Sequence, residues 1–198
     1  MKMQNSENKG GWKAPEPGQY VARCVRCIDL GTHETEWQGE KKKSHKFLLS
    51  FELPTEIVEF NGEKKPAMVS KQYTASNHEK ATIMIDVAAW RGRAMSEAEM
   101  KSFQPASLLG KIGLVNLVKS ADGQYTNIKN ITPLPKGMEC PPAVTEELTF
   151  DLDEPDWSAF LKCGRGTRIK IASSFEFEAI EPPAEVVKQL QEDAQHGR

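Results

Sequence analysis

The chain contains no apolar run near the ~20 residues that a helix needs to cross a bilayer. Its first residues, Met1 to Gly11, are polar and lack the apolar centre of a secretory leader. Four cysteines among 198 residues form no dense framework, which excludes a disulfide scaffold and fits free thiols in a reducing, cytoplasmic setting. Catalytic signatures are missing too. There is no glycine-rich phosphate loop, no HExxH and no Gly-x-Ser-x-Gly elbow, and the histidines (His33, His45, His78, His196) are scattered. The expectation is a protein that is not an enzyme and carries no cofactor.

Net charge is also nearly absent, at −2, but this total hides two opposed parts. Residues 1–137 hold 20 Lys+Arg against 15 Asp+Glu, a net of +5. Residues 138–198 hold 6 against 13, a net of −7. A mildly basic body followed by an acidic extension points to a nucleic-acid binder whose extension recruits partners or guards the site.

The local patterns divide the chain into three parts. Residues 1–17 read as a flexible arm with Trp12 its only large apolar residue. Residues 18–137 read as the folded body, and residues 138–198 as an acidic extension with short helices. In the body, Gly18 to Leu30 is rich in β-formers, and residues 31–45 read as a long polar loop. Phe47, Leu49, Phe51 and Leu53 then alternate with Lys46, Leu48, Ser50 and Glu52, the period of a half-buried strand. Asn61-Gly62 marks a turn, and PAMVSKQYT supplies a third strand. Ser76 with Glu79 has capping-box spacing and predicts a helix with a broad apolar face that ends at Arg91-Gly92-Arg93. Ser96 with Glu99 repeats the signal for a short helix to about Phe103. Lys111 to Lys119 and Tyr125 to Leu134 flank the Asp122-Gly123 hairpin turn. The class is therefore mainly β with a helical insertion. Three strands, a helix and two strands is the order of a five-stranded OB-fold barrel, with an α+β sandwich as its rival.

Several distinctive phrases lie along this body: GQYVARCVRCIDLGT (18–32), SKQYTASNHEKA (70–81), WRGRAMSEAEM (90–100), SLLGKIGLVNLV (107–118) and YTNIKNITPLPKGM (125–138). As a set they resemble a family of tailed-phage proteins described as single-stranded DNA-binding or recombination-associated. The resemblance covers roughly residues 15–160. It implies an OB-type fold and sequence-independent protection of single-stranded DNA during replication or recombination, in the cytoplasm of an infected bacterium. Residues 164–181, with their Gly-Arg-Gly run, depart from the family, and nothing is carried over to them.

Single strands are bound by a cationic groove that tracks phosphates and by aromatic platforms that stack bases. Trp37 beside Lys41, Lys42 and Lys43, with Lys46 entering the next strand, has that composition, as does a solvated charge run. Arg23 and Arg26 lie on strand one. Lys71 and Tyr73 share a face of strand three and offer a cation and a ring, unless Tyr73 is core. Arg91 and Arg93 form either a phosphate clamp or, as favoured, a basic helix end. Tyr125 and Lys129 lie near the second binding loop of such a barrel, where Tyr125 serves equally as a hairpin packing residue. Cys24-Val25-Arg26-Cys27, with Cys140 and Cys163, raises zinc, but a mid-strand CxxC points its thiols to opposite faces unless a bulge intervenes, so no metal is expected. In TFDLDEPDWSAFL (149–161), Phe150, Asp151, Asp153 and Trp157 form an acidic-hydrophobic peptide. It is expected either to dock phage or host replication or recombination proteins, or to fold back on its own barrel. The carboxylate string Asp151, Asp153, Glu154, Asp156 lacks the glycine and terminal glutamate of an EF-hand loop. The last helix, Ala184 to Gln195, offers Val186, Val187 and Leu190 for self-association. The alternative function is an OB-like adaptor or inhibitor that binds protein and no nucleic acid, and a weaker third is a virion or assembly protein.

Overall fold

A curved six-stranded sheet organises the molecule. The structure is a computed structural model that describes residues 14–195 apart from 38, 61 and 124. The expected arm over residues 1–13, with Trp12, lies outside the described residues, as does Asn61 of the expected Asn61-Gly62 turn. Strands β1 (Gly18–Trp37), β2 (Glu40–Phe60), β3 (Glu63–Thr74), β4 (Ile112–Lys119) and β5 (Thr126–Thr132) run in the order β3-β2-β1-β4-β5, all pairings antiparallel. A short β6 (Leu148–Phe150) pairs in parallel with Arg26–Ile28 of β1, just past the stretch that pairs with β4. The sheet does not close. Among the described residues no ladder joins β3 to β5, and their contact includes Lys71 Nζ of β3 donating to the Lys129 carbonyl of β5 at 3.4 Å.

Helix α1 (Thr82–Arg91) covers the open end of the curve and sends Ile83, Met84, Val87 and Trp90 into the core between the strands. Ile83, Val87 and Trp90 lie four and three apart with Met84 beside the first, and this is the apolar stripe that made a helix legible. Its start differs from expectation. The Ser76/Glu79 box does not form, and the first helical residue is Thr82, preceded by Ala81, which has no capping side chain. Ser76 Oγ instead accepts the His78 amide in a local turn, the competing use of a short hydroxyl side chain. Gly92 closes the helix at φ +69°, a left-handed conformation that favours glycine. The Ser96/Glu99 box does form and starts α2 (Glu97–Lys101). Trp90 packs close against Gly113, where an added Cβ would meet the indole Nε1 at 2.4 Å, and donates to the Ile112 carbonyl at 2.7 Å.

The expected polar loop over residues 31–45 is instead a hairpin that lengthens β1 and β2, with Thr32 opposite His45 and Trp37 opposite Glu40. Thr35 faces Lys42, Glu34 faces Lys43 and Glu36 faces Lys41, so cross-strand charge pairs replace apolar alternation as the pairing signal. Two register shifts in β1, at Cys24/Arg26 and Asp29/Gly31, re-aim its side chains. The first puts both Cys24 and Cys27 toward the main core.

Residues 138–195 pack against the sheet. Helices α3 (Trp157–Lys162), α4 (Arg165–Ala172), α5 (Phe175–Glu178) and α6 (Ala184–Gln195) cover the outer face of β1 and build a second core. In it Ile28 and Leu30 meet Phe150, Phe160, Ile171, Phe177 and Val186. Phe150 is therefore buried, and Trp157 lies edge-on to Phe160 and Phe177. The segment expected to dock partners takes its second expected course and folds back, because its aromatics complete this core. Asp151 and Asp153 remain exposed, the Asp153 amide donating to Asp151 Oδ1, and Asp156 caps α3. The expected self-association face of α6 is partly used as well: Val186 is buried and Leu190 packs on the second core, leaving Val187 exposed.

Candidate nucleic-acid interface

The register of β1, β2 and β3 defines one outward face row by row. Arg23, Glu52 and Met68 form one row and Arg26, Ser50 and Ser70 the next. Ile28, Leu48 and Gln72 follow, and then Gly31, Lys46 and Thr74. The alternate residues Phe47, Leu49, Phe51, Val69, Lys71 and Tyr73 point inward. The C-terminal helices cover the β1 side of this face. On β3 the side chains of Ser70, Gln72 and Thr74 stay exposed.

A groove of about 420 Å³ runs along the seam between the covered and the open part. Arg26, Lys65, Ser50 and Ser70 supply its polar lining, Leu48 and Met68 its apolar floor, and Gly164 and Thr167 at the start of α4 the far wall. Arg26 Nε is buried there without a hydrogen-bond partner among the described residues. At the other end of the face Lys46 Nζ donates to Thr74 Oγ1 at 2.6 Å. The arrangement offers donors and hydroxyls along an open strand, with the aliphatic Leu48 and Met68 side chains between them. Cations and hydroxyls in a groove are the part of single-strand binding that tracks phosphates; the aromatic part is not among this groove's lining.

The sequence-predicted residues distribute unevenly over this surface. Arg26 and Lys46 belong to it. Arg23 is on the same face but is committed, its two terminal nitrogens donating to the Gly110 and Pro141 carbonyls. Lys71 and Tyr73 do share a face, but it is the inner one. Tyr73 is 2% exposed and stacked on Phe47, and both residues converge on Asp86 Oδ2, at 2.6 Å from Lys71 Nζ and 2.8 Å from the phenol. Burial, with the Asp86 carboxylate beside it, pushes the Tyr73 pKa well above that of an ordinary phenol. Neither is therefore presented to a strand outside the sheet.

The lysine run sits on the hairpin arm. Lys41 pairs with Glu34 at 3.0 Å and Lys43 lies 3.9 Å over the Phe175 ring, while Lys42 is exposed. The Trp37 side chain lies outside the described residues. Arg91 and Arg93 both grip Glu99 at 2.6 Å, which favours the structural reading of that corner. The hydrogen bonds from Arg93, the Ser96 amide and Arg91 hold the Glu99 carboxyl far below the usual range. Tyr125, 64% exposed at the β4–β5 hairpin, and the exposed Lys129 stand apart from the groove. Sequence reasoning missed Ser50, Met68, Ser70, Gln72 and Thr74. The signal was present in the alternation of Met68, Ser70, Gln72 and Thr74 with Ala67, Val69 and Tyr73, which marks the first set as the outward one.

Cys24, Cys27 and Cys163 are buried, and Cys140 is half-buried. Burial pushes Cys27 up to about 12 and Cys163 up to about 11, and raises Cys24 further. Among the described residues no three His, Cys, Asp or Glu side chains are grouped to hold a metal ion. Nor is any helix among them long and apolar enough to cross a membrane.

A second cluster ties the extension to the hairpin arm. Glu176 accepts from Thr32 Oγ1 at 2.5 Å and from the Thr32 amide at 2.6 Å. His45 stands between Asp29, 2.7 Å from Nε2, and Glu176, 3.4 Å from Nδ1. Burial works to raise the Glu176 pKa, but the Thr32 bonds and His45 outweigh it and set it at about 2. The Asp29 hydrogen bond raises that of His45 against the opposing effect of burial.

Compared with family models, curated proteins and solved structures, the chain matches none of them.

Proposed function

We propose that the protein binds single-stranded DNA, largely without regard to sequence, along the outward β2–β3 face. It would protect such strands during replication or recombination, as the phage family it resembles implies. The observation that carries this reading is the open row Ser70, Gln72, Thr74 on β3, bounded by Lys46 at one end and by the groove with Arg26 and Lys65 at the other. The strand order β3-β2-β1-β4-β5, with a helix between β3 and β4, agrees with an OB fold left open between β3 and β5, a fold that binds oligonucleotides across strands two and three. No carboxylate among the described residues lies within ion-pairing distance of Lys46.

The test is fluorescence anisotropy of a labelled oligo-dT at low and physiological salt, with duplex DNA as competitor. Each phosphate contact contributes a slope of about −0.7 in log K against log salt for single strands. Lys46→Glu should weaken binding and flatten that slope. Gln72→Glu, which places a like charge beside the phosphates, should weaken it too, while Lys41→Ala should change little. No binding at micromolar protein, or equal effects from all three variants, would overturn the reading and bring forward the protein-binding adaptor.

A further inference from the structure

We propose that the cavity between the end of β3, the 75–81 turn and the start of α1 is a seat for a phosphate group of a nucleotide, and that Lys46, His78 and Lys80 hold it. This goes beyond a strand lying along the sheet, because it assigns a separate, localised anion site at one end of the face.

The cavity has a volume of about 430 Å³, large enough for a phosphate with its sugar. Three basic side chains, Lys46, His78 and Lys80, line it together with the hydroxyls of Thr74, Ser76 and Thr82, and no carboxylate does. Several basic side chains elsewhere are neutralised by acids: Lys41 by Glu34, Arg91 and Arg93 by Glu99, Lys101 by Glu97, Lys162 by Glu146 and Arg168 by Asp193. Even the half-buried Lys71 next to this cavity has Asp86. Among the described residues, Lys46, His78 and Lys80 have no acid within 4.0 Å.

The donors are also held ready. Lys46 spends one ammonium proton on Thr74 Oγ1, at 2.6 Å, which fixes its head at the cavity and leaves two protons for an anion. His78 Nδ1 accepts the Lys80 amide at 3.1 Å, so the ring proton sits on Nε2 and is available to donate. The same bond orders the turn that carries Lys80. Hydrogen bonds from ammonium and imidazole groups to phosphate oxygens are the charge-assisted kind, about twice as strong as neutral ones. A phosphate monoester or diester matches this donor set; a thymine or a neutral sugar does not.

The experiment follows the His78 imidazole and the Thr82 amide by NMR in the full chain, in phosphate-free buffer at low salt. The probes are inorganic phosphate, thymidine 5′-monophosphate and thymidine. Both phosphate probes should shift these signals and thymidine should not. Lys80→Ala should weaken the monophosphate about tenfold, the worth of one charge-assisted hydrogen bond, whereas Lys101→Ala, an exposed lysine elsewhere, should have no effect. His78→Gln gives a second, independent variant. Failure of both phosphate probes to shift the signals, equal shifts from thymidine, or equal losses from Lys80→Ala and Lys101→Ala would overturn the proposal.

Oligo-dT with a 5′-phosphate or a 5′-hydroxyl then identifies the source. Tighter binding of the phosphorylated oligomer assigns the seat to a strand end, and equal binding assigns it to an internal diester. A response to the monophosphate with none to either oligomer keeps the seat and removes the single-strand function. Binding of oligo-dT that leaves His78 and Thr82 unmoved, with no response to the small phosphates, does the reverse.

Discussion

Replacing Gly31 by alanine should detach the C-terminal helices from β1. Gly31 sits at the second bulge of β1 with φ +74°, where a Cβ-bearing residue costs about 1–2 kcal/mol. Its added Cβ would lie 2.4 Å from Ser174 Cβ and 2.8 Å from Glu176 Oε2, distances that real Cβ atoms do not show. Ser174 cannot retreat easily, because it is fully buried and its hydroxyl caps α5 through the Phe177 amide. Moving it forfeits the cap, worth about 1 kcal/mol. It also draws Glu176 away from Thr32, where each hydrogen bond to the carboxylate is worth about 1.5 kcal/mol or more. With the φ cost, the cap and both Thr32 hydrogen bonds, the total is about 5–6 kcal/mol. With a urea slope of about 2 kcal/mol/M, the midpoint should fall by about 2.5–3 M. Urea denaturation followed by tryptophan fluorescence reads this directly. Ser174→Gly removes the colliding atoms at a cost of only a few tenths of a kcal/mol. In the Gly31→Ala background it should therefore restore part of the loss, a non-additivity that a double-mutant cycle detects. A loss below about 1 kcal/mol, or strict additivity with Ser174→Gly, would refute the argument.

Docking of the extension should also depend on pH. The raised His45 pKa contributes stability that is full below about pH 6.5 and is lost as pH rises through the folded value. Glu176, lowered to about 2, contributes above about pH 4.5 and loses this as pH falls toward its folded value. Resistance of the extension to limited proteolysis should therefore peak between about pH 4.5 and 6.5, and His45→Asn should remove the alkaline decline. Asp86→Asn should cost about 3 kcal/mol in urea denaturation, because it strands the Lys71 ammonium and leaves the Tyr73 phenol a poorer acceptor. Glu52→Gln should cost about 2 kcal/mol, since the buried carboxylate accepts the Val144 and Thr145 amides at 2.9 and 2.6 Å. Faster proteolytic nicking near residue 144 would accompany it, and unchanged nicking and stability would refute that role.

Strands with a core on one side were legible, because Phe47, Leu49, Phe51 and Leu53 announce their period. The hairpin arm was not, because in Thr32 to Trp37 the pairing signal is carried by charges on the opposite strand, which a reading along one segment does not see. The same limit applies to the bulges. A single skipped residue at Cys24/Arg26 turns a CxxC that should face both ways toward one core, and nothing local in that tetrapeptide encodes it. On β3 the alternation marked Met68, Ser70, Gln72 and Thr74 as outward, but Lys71 stood against it by residue type. Lys71 reads as surface by type, yet Asp86 on α1, fifteen residues later, takes it inside. The fold-back of Phe150 and Trp157 rests on the apolar outer row Ile28 and Leu30, which a strand with one solvated face would not carry.

The parallel pairing of β6 has a consequence for the order in which the chain assembles. Arg26 meets Leu148, and Ile28 meets Phe150, across more than half of the sequence. During synthesis from the N-terminus, β1 is made early, yet one edge of it and its apolar row stay unsatisfied until the last quarter of the chain emerges. Contacts of such long sequence separation slow folding, and an unpaired apolar edge invites pairing with other chains meanwhile. The nascent protein therefore passes through a stage in which its first strand needs shielding by a chaperone, and shortened products that end before residue 148 are the ones expected to aggregate.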